Sequence, residues 1–148
     1  MSIRRIENLL MELAWRESEA WRRNLAEILP FIVFEVDSTG RLTYVNSNGI
    51  ASWGFDAEDM ERGVYLLDRI APESREQVRE QMEIVLGGGI SYCKKCKLLK
   101  KDGSILTVIA YSGPIFYRVG IIGAAGILID INSDKWYKEE FSKNETRC

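Results

Sequence analysis

Two cysteines flank two lysines in Cys93-Lys94-Lys95-Cys96, which places two sulfur atoms three residues apart. Paired thiolates at that spacing chelate zinc or exchange a disulfide. Two observations weigh against both chemistries. Residues three apart on an extended strand face opposite sides, and the chain has no second cysteine pair and no histidine to complete a tetrahedral site. No metal is therefore expected. The third cysteine, Cys148, makes the count odd, which does not suggest a disulfide framework.

The absence of histidine reaches further. It removes a histidine general base, haem ligand, zinc ligand or phosphoacceptor from these residues. Acid–base chemistry would then fall to carboxylates, with Glu35 and Asp37 as candidates in a small α+β enzyme whose sheet and helices form a cone around a substrate. That role requires a carboxylate at the cavity floor with a raised pKa. Gly87-Gly88-Gly89 is not a phosphate loop, because neither a lysine-serine pair nor a helix follows it.

The elements that hold these groups follow from apolar periodicity. Ile3, Ile6, Leu10 and Leu13 recur every three or four residues and predict a helix, whose second half moves its stripe to Trp21, Leu25 and Ile28 before Pro30 ends it. Residues 31–37 and 41–46 read as a hairpin around Ser38-Thr39-Gly40. Residues 46–55 then form a short helix presenting Ile50 and Trp53, and Asp56 caps another turn. Pro72 opens a helix carrying Val78, Met82, Val85 and Leu86 on one face, and Gly87-Gly88-Gly89 supplies its stop. Three strand-like runs follow, 90–99, 104–114 and 118–131, the first two joined by Lys101-Asp102-Gly103. A charged helical tail begins at Ser133. Two strands, helices and three further strands give an α+β domain with a five-stranded antiparallel sheet and helices on one face.

Bulk properties agree with one folded domain: 148 residues, 46% apolar and 28% charged. A net charge of −2 with an isoelectric point near 5.4 offers no general attraction to nucleic acid or to anionic membrane. The longest apolar stretch is broken by glycines and Asp130 and is too short to span a bilayer, so a cytoplasmic protein is the plain reading.

The strings inside this order resemble the PAS family of sensor domains. Gly40-Arg41-Leu42-Thr43-Tyr44-Val45-Asn46 resembles the family's second strand, and Trp53-Gly54-Phe55 its aromatic-glycine-aromatic helix end. Lys101-Asp102-Gly103-Ser104 resembles the later hairpin turn, and Gly126-Ile127-Leu128-Ile129-Asp130-Ile131-Asn132 the last strand, with asparagine where threonine is usual. Asn132 still offers an oxygen to cap a following helix.

The resemblance implies an N-terminal dimerisation or signal helix over 1–29, a sensor domain over 30–132 and a linker helix over 133–148. It implies a small cavity under the helices, lined by elements carrying Tyr44, Asn46, Trp53, Tyr92, Thr107 and Tyr111, a mixture suited to a small planar or weakly polar ligand. The competing reading is that these residues fill the core, with Asn46 tying backbone groups together. Lys94, Lys95, Lys97, Lys100 and Lys101 then lie on or beside an edge strand, where lysines block aggregation, and nucleic-acid binding is the lesser reading. Neither flavin nor haem is expected: the flavin-binding relatives' Asn-Cys-Arg-Phe-Leu run is absent around 48–53, and haem-binding relatives usually ligate through histidine. Any other cofactor is unidentified.

The function expected is a sensory module, part of or partner to a sensor kinase or similar regulator. It takes an unidentified small molecule, pairs as a homodimer through Ile3, Ile6, Leu10 and Leu13, and relays a conformational change through Asp130, Ile131 and Asn132 to a downstream effector. Ile3, Ile6, Leu10 and Leu13 would alternatively lie on the domain's own sheet. A ligand-free interaction domain is the alternative, and the cone-shaped enzyme a remoter one.

Overall fold

The computed structural model describes residues 2–8, 19–118 and 120–131. Helix α1 comprises residues 3–8, and α2 spans Glu19–Ile28. Then come β1 (Ile32–Asp37), β2 (Leu42–Val45), α3 (Ser47–Trp53), α4 (Ala57–Arg62), a 3-10 turn (Leu66–Arg69) and α5 (Pro72–Leu86). Strands β3 (Ser91–Leu99), β4 (Ile105–Tyr117) and β5 (Gly120–Asp130) complete the described chain. The strands form one antiparallel sheet in the order β2-β1-β5-β4-β3.

Alternation along the strands divides the sheet into two apolar faces. Ile32, Phe34 and Val36 of β1 and Val108 of β4 face an inner core with Trp53, Val78 and Val85 of α3 and α5. Val33, Ile109, Tyr111, Ile127 and Ile129 face an outer core with Ile3 and Ile6 of α1 and with Ala26 and Leu29. Both faces of the central strands are thus covered, which accounts for the near-continuous apolar run in β4 and β5.

Local chemistry sets the element ends. Asp56 and Asp59 form a reciprocal capping box at the start of α4. Gly54 ends α3 at φ 99°, a left-handed conformation that a side chain would strain. The stop after α5 comes from Gly88 at φ 104°, while Gly87 keeps a negative φ. Three expectations shift in detail. Ile28 is 75% exposed, and the buried stripe of α2 runs instead through Ala26, with Leu29 just beyond the helix, because the chain turns into β1 there. Ile50 of α3 points toward solvent while Trp53 is wholly buried. Strand β4 runs three residues further than expected, to Tyr117, and β5 begins two residues later than expected, at Gly120, the two forming a tight hairpin.

Segments of the same chain flank both sheet edges. Beside β2, Leu42 N–H donates to Val64 O (2.8 Å) and Leu66 N–H to Gly40 O (2.9 Å). Beside β3, Ala71 N–H donates to Lys97 O (2.8 Å), and Lys97 N–H donates to Ser74 Oγ (3.2 Å). Edge protection at β3 is therefore made by backbone pairing as well as by its lysines.

Candidate functional site

Between α5 and the inner face lies a cavity of about 30 Å³ bounded by Phe34, Val78, Met82, Cys96, Ala110 and Leu128, with Gln81 and Ser112 as its polar groups. That volume holds a water-sized guest and nothing larger without movement of α5. A second cleft, of about 220 Å³ and mostly polar, is bounded by Pro30, Phe31, Asn48, Ser52 and Asp130. It sits where the chain enters β1 and leaves β5, elements that pair from Ile32 and Leu128 onward.

The six residues expected to line a cavity are not brought together. Tyr44, Tyr92 and Tyr111 pack against the outer core, and Tyr92 and Tyr111 are direct cross-strand partners with ring centroids 4.8 Å apart. Thr107 stands opposite Lys97, one step from inward-facing Val108, and its carbonyl accepts from Ile131 N–H. Trp53 is in the inner core but outside the cavity wall, with Phe34 and Phe55 edge-on to its ring and its Nε1–H donating to Leu99 O (3.0 Å). The physical reason is strand parity: β4 is apolar on both faces, so residue type does not reveal which way Tyr111 points, and a register shift between β1 and β2 puts Tyr44 on the outer side although Leu42, two residues before it, is in the inner core.

Asn46 is a structural hub. Its Oδ1 accepts from Val33 N–H (3.0 Å) and Gly49 N–H (2.9 Å), and its Nδ2 donates to Ala26 O (3.0 Å) and Phe31 O (2.9 Å). One wholly buried side chain thereby caps α3 and ties the end of α2 to the start of β1, using its full hydrogen-bonding capacity.

A polar latch holds α2 to the sheet. Tyr44 Oη–H donates to Glu27, whose other oxygen accepts from Ser47 N–H (3.2 Å) and Oγ–H (2.8 Å), and the Arg23 guanidinium lies 4.8 Å over the Tyr44 ring. The Tyr44 hydrogen bond, followed by those from Ser47, holds the Glu27 carboxyl below its usual value despite some burial. Burial and the Glu27 carboxylate push the Tyr44 phenol up.

Of the dimer-seam candidates, Ile3 and Ile6 are buried against this chain's own sheet, at 4% and 1% exposure. Leu10 and Leu13 lie outside the described residues. At the exit, Asp130 ends β5 and Ile131 N–H donates to Thr107 O, while Asn132 and the tail lie outside the described residues.

Neither carboxylate candidate for acid–base work faces the cavity. Glu35 lies on the outer side of β1, between inward-facing Phe34 and Val36. Asp37 sits in the β1–β2 turn, where burial raises its pKa but hydrogen bonds from Thr39 and Arg41 outweigh it and hold the carboxyl low.

The cysteines depart furthest from expectation. A bulge between Cys93 and Cys96 sets Cys93 opposite Ala110 and Cys96 opposite Val108, so both side chains enter the inner core. The parity argument that sent them to opposite faces fails at that bulge. Burial, and then the neighbouring Cys93, push the Cys96 thiol up to about 12. Cys96, Met82, Gln81 and Ser112 are the cavity groups that sequence reasoning missed; the burial phase changes between Ser91/Cys93 and Cys96/Leu98, a break that the bulge makes.

Comparison with known proteins places this geometry. The PAS-fold family model matches residues 42–124. The PAS domain of a Colwellia psychrerythraea protein superposes with a TM-score of 0.66 at 20% identity, covering 79% of this chain and 100% of that one. A domain of a sensory box sensor histidine kinase/response regulator from Geobacter sulfurreducens gives 0.61 at 17% identity, over 75% and 92% of the two chains. The PAS-B domain of Drosophila melanogaster Cycle, with bound ethylene glycol, gives 0.58 at 11% identity over 64% and 94%. No curated protein sequence matches the chain.

Proposed function

This chain belongs to the PAS family, and from that premise we propose that it is a sensory signalling module in which occupancy of the cavity under α5 changes how α1 and α2 pack on the far side of the sheet. The observation that carries the reading is the sheet's double duty. Phe34, Ala110 and Leu128 wall the cavity, and their strand neighbours Val33, Ile109, Tyr111, Ile127 and Ile129 form the bed for α1 and for the residues that follow α2. A displacement of β1, β4 or β5 on one side is felt on the other, because adjacent residues of a strand move together.

Signal would leave through Asp130 and Ile131, beside the cleft shared with Pro30 and Phe31. The output lies with a downstream domain or protein. Kinship with a sensor histidine kinase domain supports a partner of that kind. Pairing into a homodimer belongs to the same reading, with its seam formed by surfaces other than Ile3 and Ile6. Placement of Glu35 and Asp37 away from the cavity favours a binding role over acid–base catalysis.

The test is to fill the cavity without a ligand. Ala110→Leu adds bulk at its wall, and hydrogen exchange at residues 23–29 reports α2 docking. Altered exchange there, with β2 unchanged, supports transmission through the sheet; unaltered exchange overturns it. The cavity's size of about 30 Å³ favours one second reading, a ligand-free interaction module. Native mass spectrometry separates the two: retained small-molecule mass supports the sensor, and a bare dimer supports the interaction module.

A further inference from the structure

The polar groups of the cavity under α5 sit together at one end of it. Gln81 Nε2–H donates to Tyr92 O (3.3 Å), and Tyr92 is the cross-strand partner of Tyr111, the residue before Ser112. Ser112 itself stands directly opposite Ser91, which is buried and shares strand parity with inward-facing Cys93. A second hydroxyl thus continues the polar end beyond the cavity wall. Away from it the wall is apolar, closing on Leu66, Ile70 and Leu98, where Ile70 bridges to Leu98 of β3. The space is therefore amphipathic, with an amide and a hydroxyl at its head and hydrocarbon along its length.

We propose that this cavity takes a small neutral alcohol, its hydroxyl held between Gln81 and Ser112 and its alkyl end against the apolar wall. The lining selects against charge. Among the described residues that line the cavity none is Asp, Glu, Lys or Arg, and the Cys96 thiol, pushed up to about 12 by burial, stays protonated at neutral pH. A carboxylate or ammonium ligand would give up its hydration there with no opposite charge to replace it. The head selects a hydroxyl over a carbonyl. With Nε2 of Gln81 committed to Tyr92 O, its Oε1 remains to accept, while Ser112 Oγ–H can donate. An alcohol donates and accepts and so satisfies both, whereas an aldehyde or ketone only accepts and leaves Oε1 unpaired. Size limits the alkyl part to about one to three carbons, since a cavity of about 30 Å³ holds a water-sized guest until α5 yields. Met82 of α5, unbranched and adaptable, is the part of the wall best suited to yield. Water would fill the space without moving α5, and an alcohol would fill it by moving α5, which makes the exchange of one for the other a signal; that consequence rests on the sensor reading, while binding does not.

The test titrates the full chain with ethanol and follows backbone and Gln81 side-chain amides by NMR. Saturable shifts are expected at Gln81, Met82 and Ser112, with a Kd of about 1–10 mM, the range open to a ligand of three heavy atoms. Ser112→Ala, a small change at a half-buried position, should raise that Kd about fivefold or more. Acetaldehyde should bind more weakly than ethanol by a similar factor, and acetate and ethylammonium should give no saturable shift over the same range. Shifts that rise linearly without saturating, a Kd unchanged by Ser112→Ala, or acetate binding as tight as ethanol would each overturn the site. The exchange response of Ala110→Leu is measured without alcohol, so failure here leaves the sensor test standing, and failure there leaves ethanol binding to be read on its own.

Discussion

Asp59 on α4 and Lys101 in the β3–β4 turn are joined twice, with Lys101 Nζ–H donating to both carboxylate oxygens at 3.0 and 2.8 Å. The same turn is anchored by Lys101 N–H donating to Trp53 O (3.1 Å), so the far hairpin is fastened to the helical layer at two points. The Lys101 hydrogen bond, followed by the backbone N–H of Asp56, lowers the Asp59 pKa, and Asp59 in turn raises that of Lys101.

Stability should report this pair through pH. Asp59 has a folded pKa below its usual 3.8, so its contribution is complete above that value and is lost as pH falls through the folded one. Asp59→Asn should lower Tm at neutral pH and show a smaller acid-induced loss than the parent, converging with it at the lowest pH. Melting curves from pH 2 to 7 check this, and parallel curves at all pH values would contradict it.

Asn46→Ala should cost on the order of 3 kcal/mol, because two buried N–H groups and two buried carbonyls lose a partner together. Asn46→Asp should be no milder, since it turns a donor to Ala26 O and Phe31 O into an acceptor. Urea denaturation of the three proteins decides it; near-parental stability of Asn46→Asp would remove the hub assignment.

Gly126 exists for Phe34. A Cβ at position 126 would lie 2.3 Å from Phe34 Cε1 and 3.0 Å from Tyr111 O. Gly126→Ala should destabilise by about 1–3 kcal/mol. Adding Phe34→Leu should recover part of that loss, and strictly additive effects in the double-mutant cycle would contradict the contact.

Tyr44→Phe removes the hydroxyl that donates to Glu27, at a cost of about 1 kcal/mol given its partial exposure. Loss of amide protection should concentrate at 23–29 and leave β4 unaffected. Glu27→Gln should reproduce the pattern, and the two changes combined should be less than additive.

The fold was largely legible. Pro72, Gly88, Asp56 and the turn Lys101-Asp102-Gly103 each act through local backbone chemistry, and local chemistry is written in sequence. Asn46 was legible as a backbone tie, because an amide after a β-strand and before a helix has few other uses. Sidedness was not. Tyr111 lies on a strand that is apolar on both faces, so only tertiary packing decides which face meets α5, and Tyr44 is turned to the outer side by a register shift that composition does not reveal. Cys96 was misplaced because a bulge changes parity without changing composition. The seating of Ile3 and Ile6 on the sheet is likewise a tertiary outcome, since a helical stripe fits a neighbouring chain as well as its own domain.

The seals made by Val64 and Leu66 at one border of the sheet, and by Ala71 N–H and the Ser74 hydroxyl at the other, limit how copies of this protein could meet. With those stretches of β2 and β3 already engaged, a sixth strand from another molecule finds its docking register interrupted on either side. Any assembly of copies would then have to use side-chain surfaces, which form and part reversibly, in place of runaway ribbon growth.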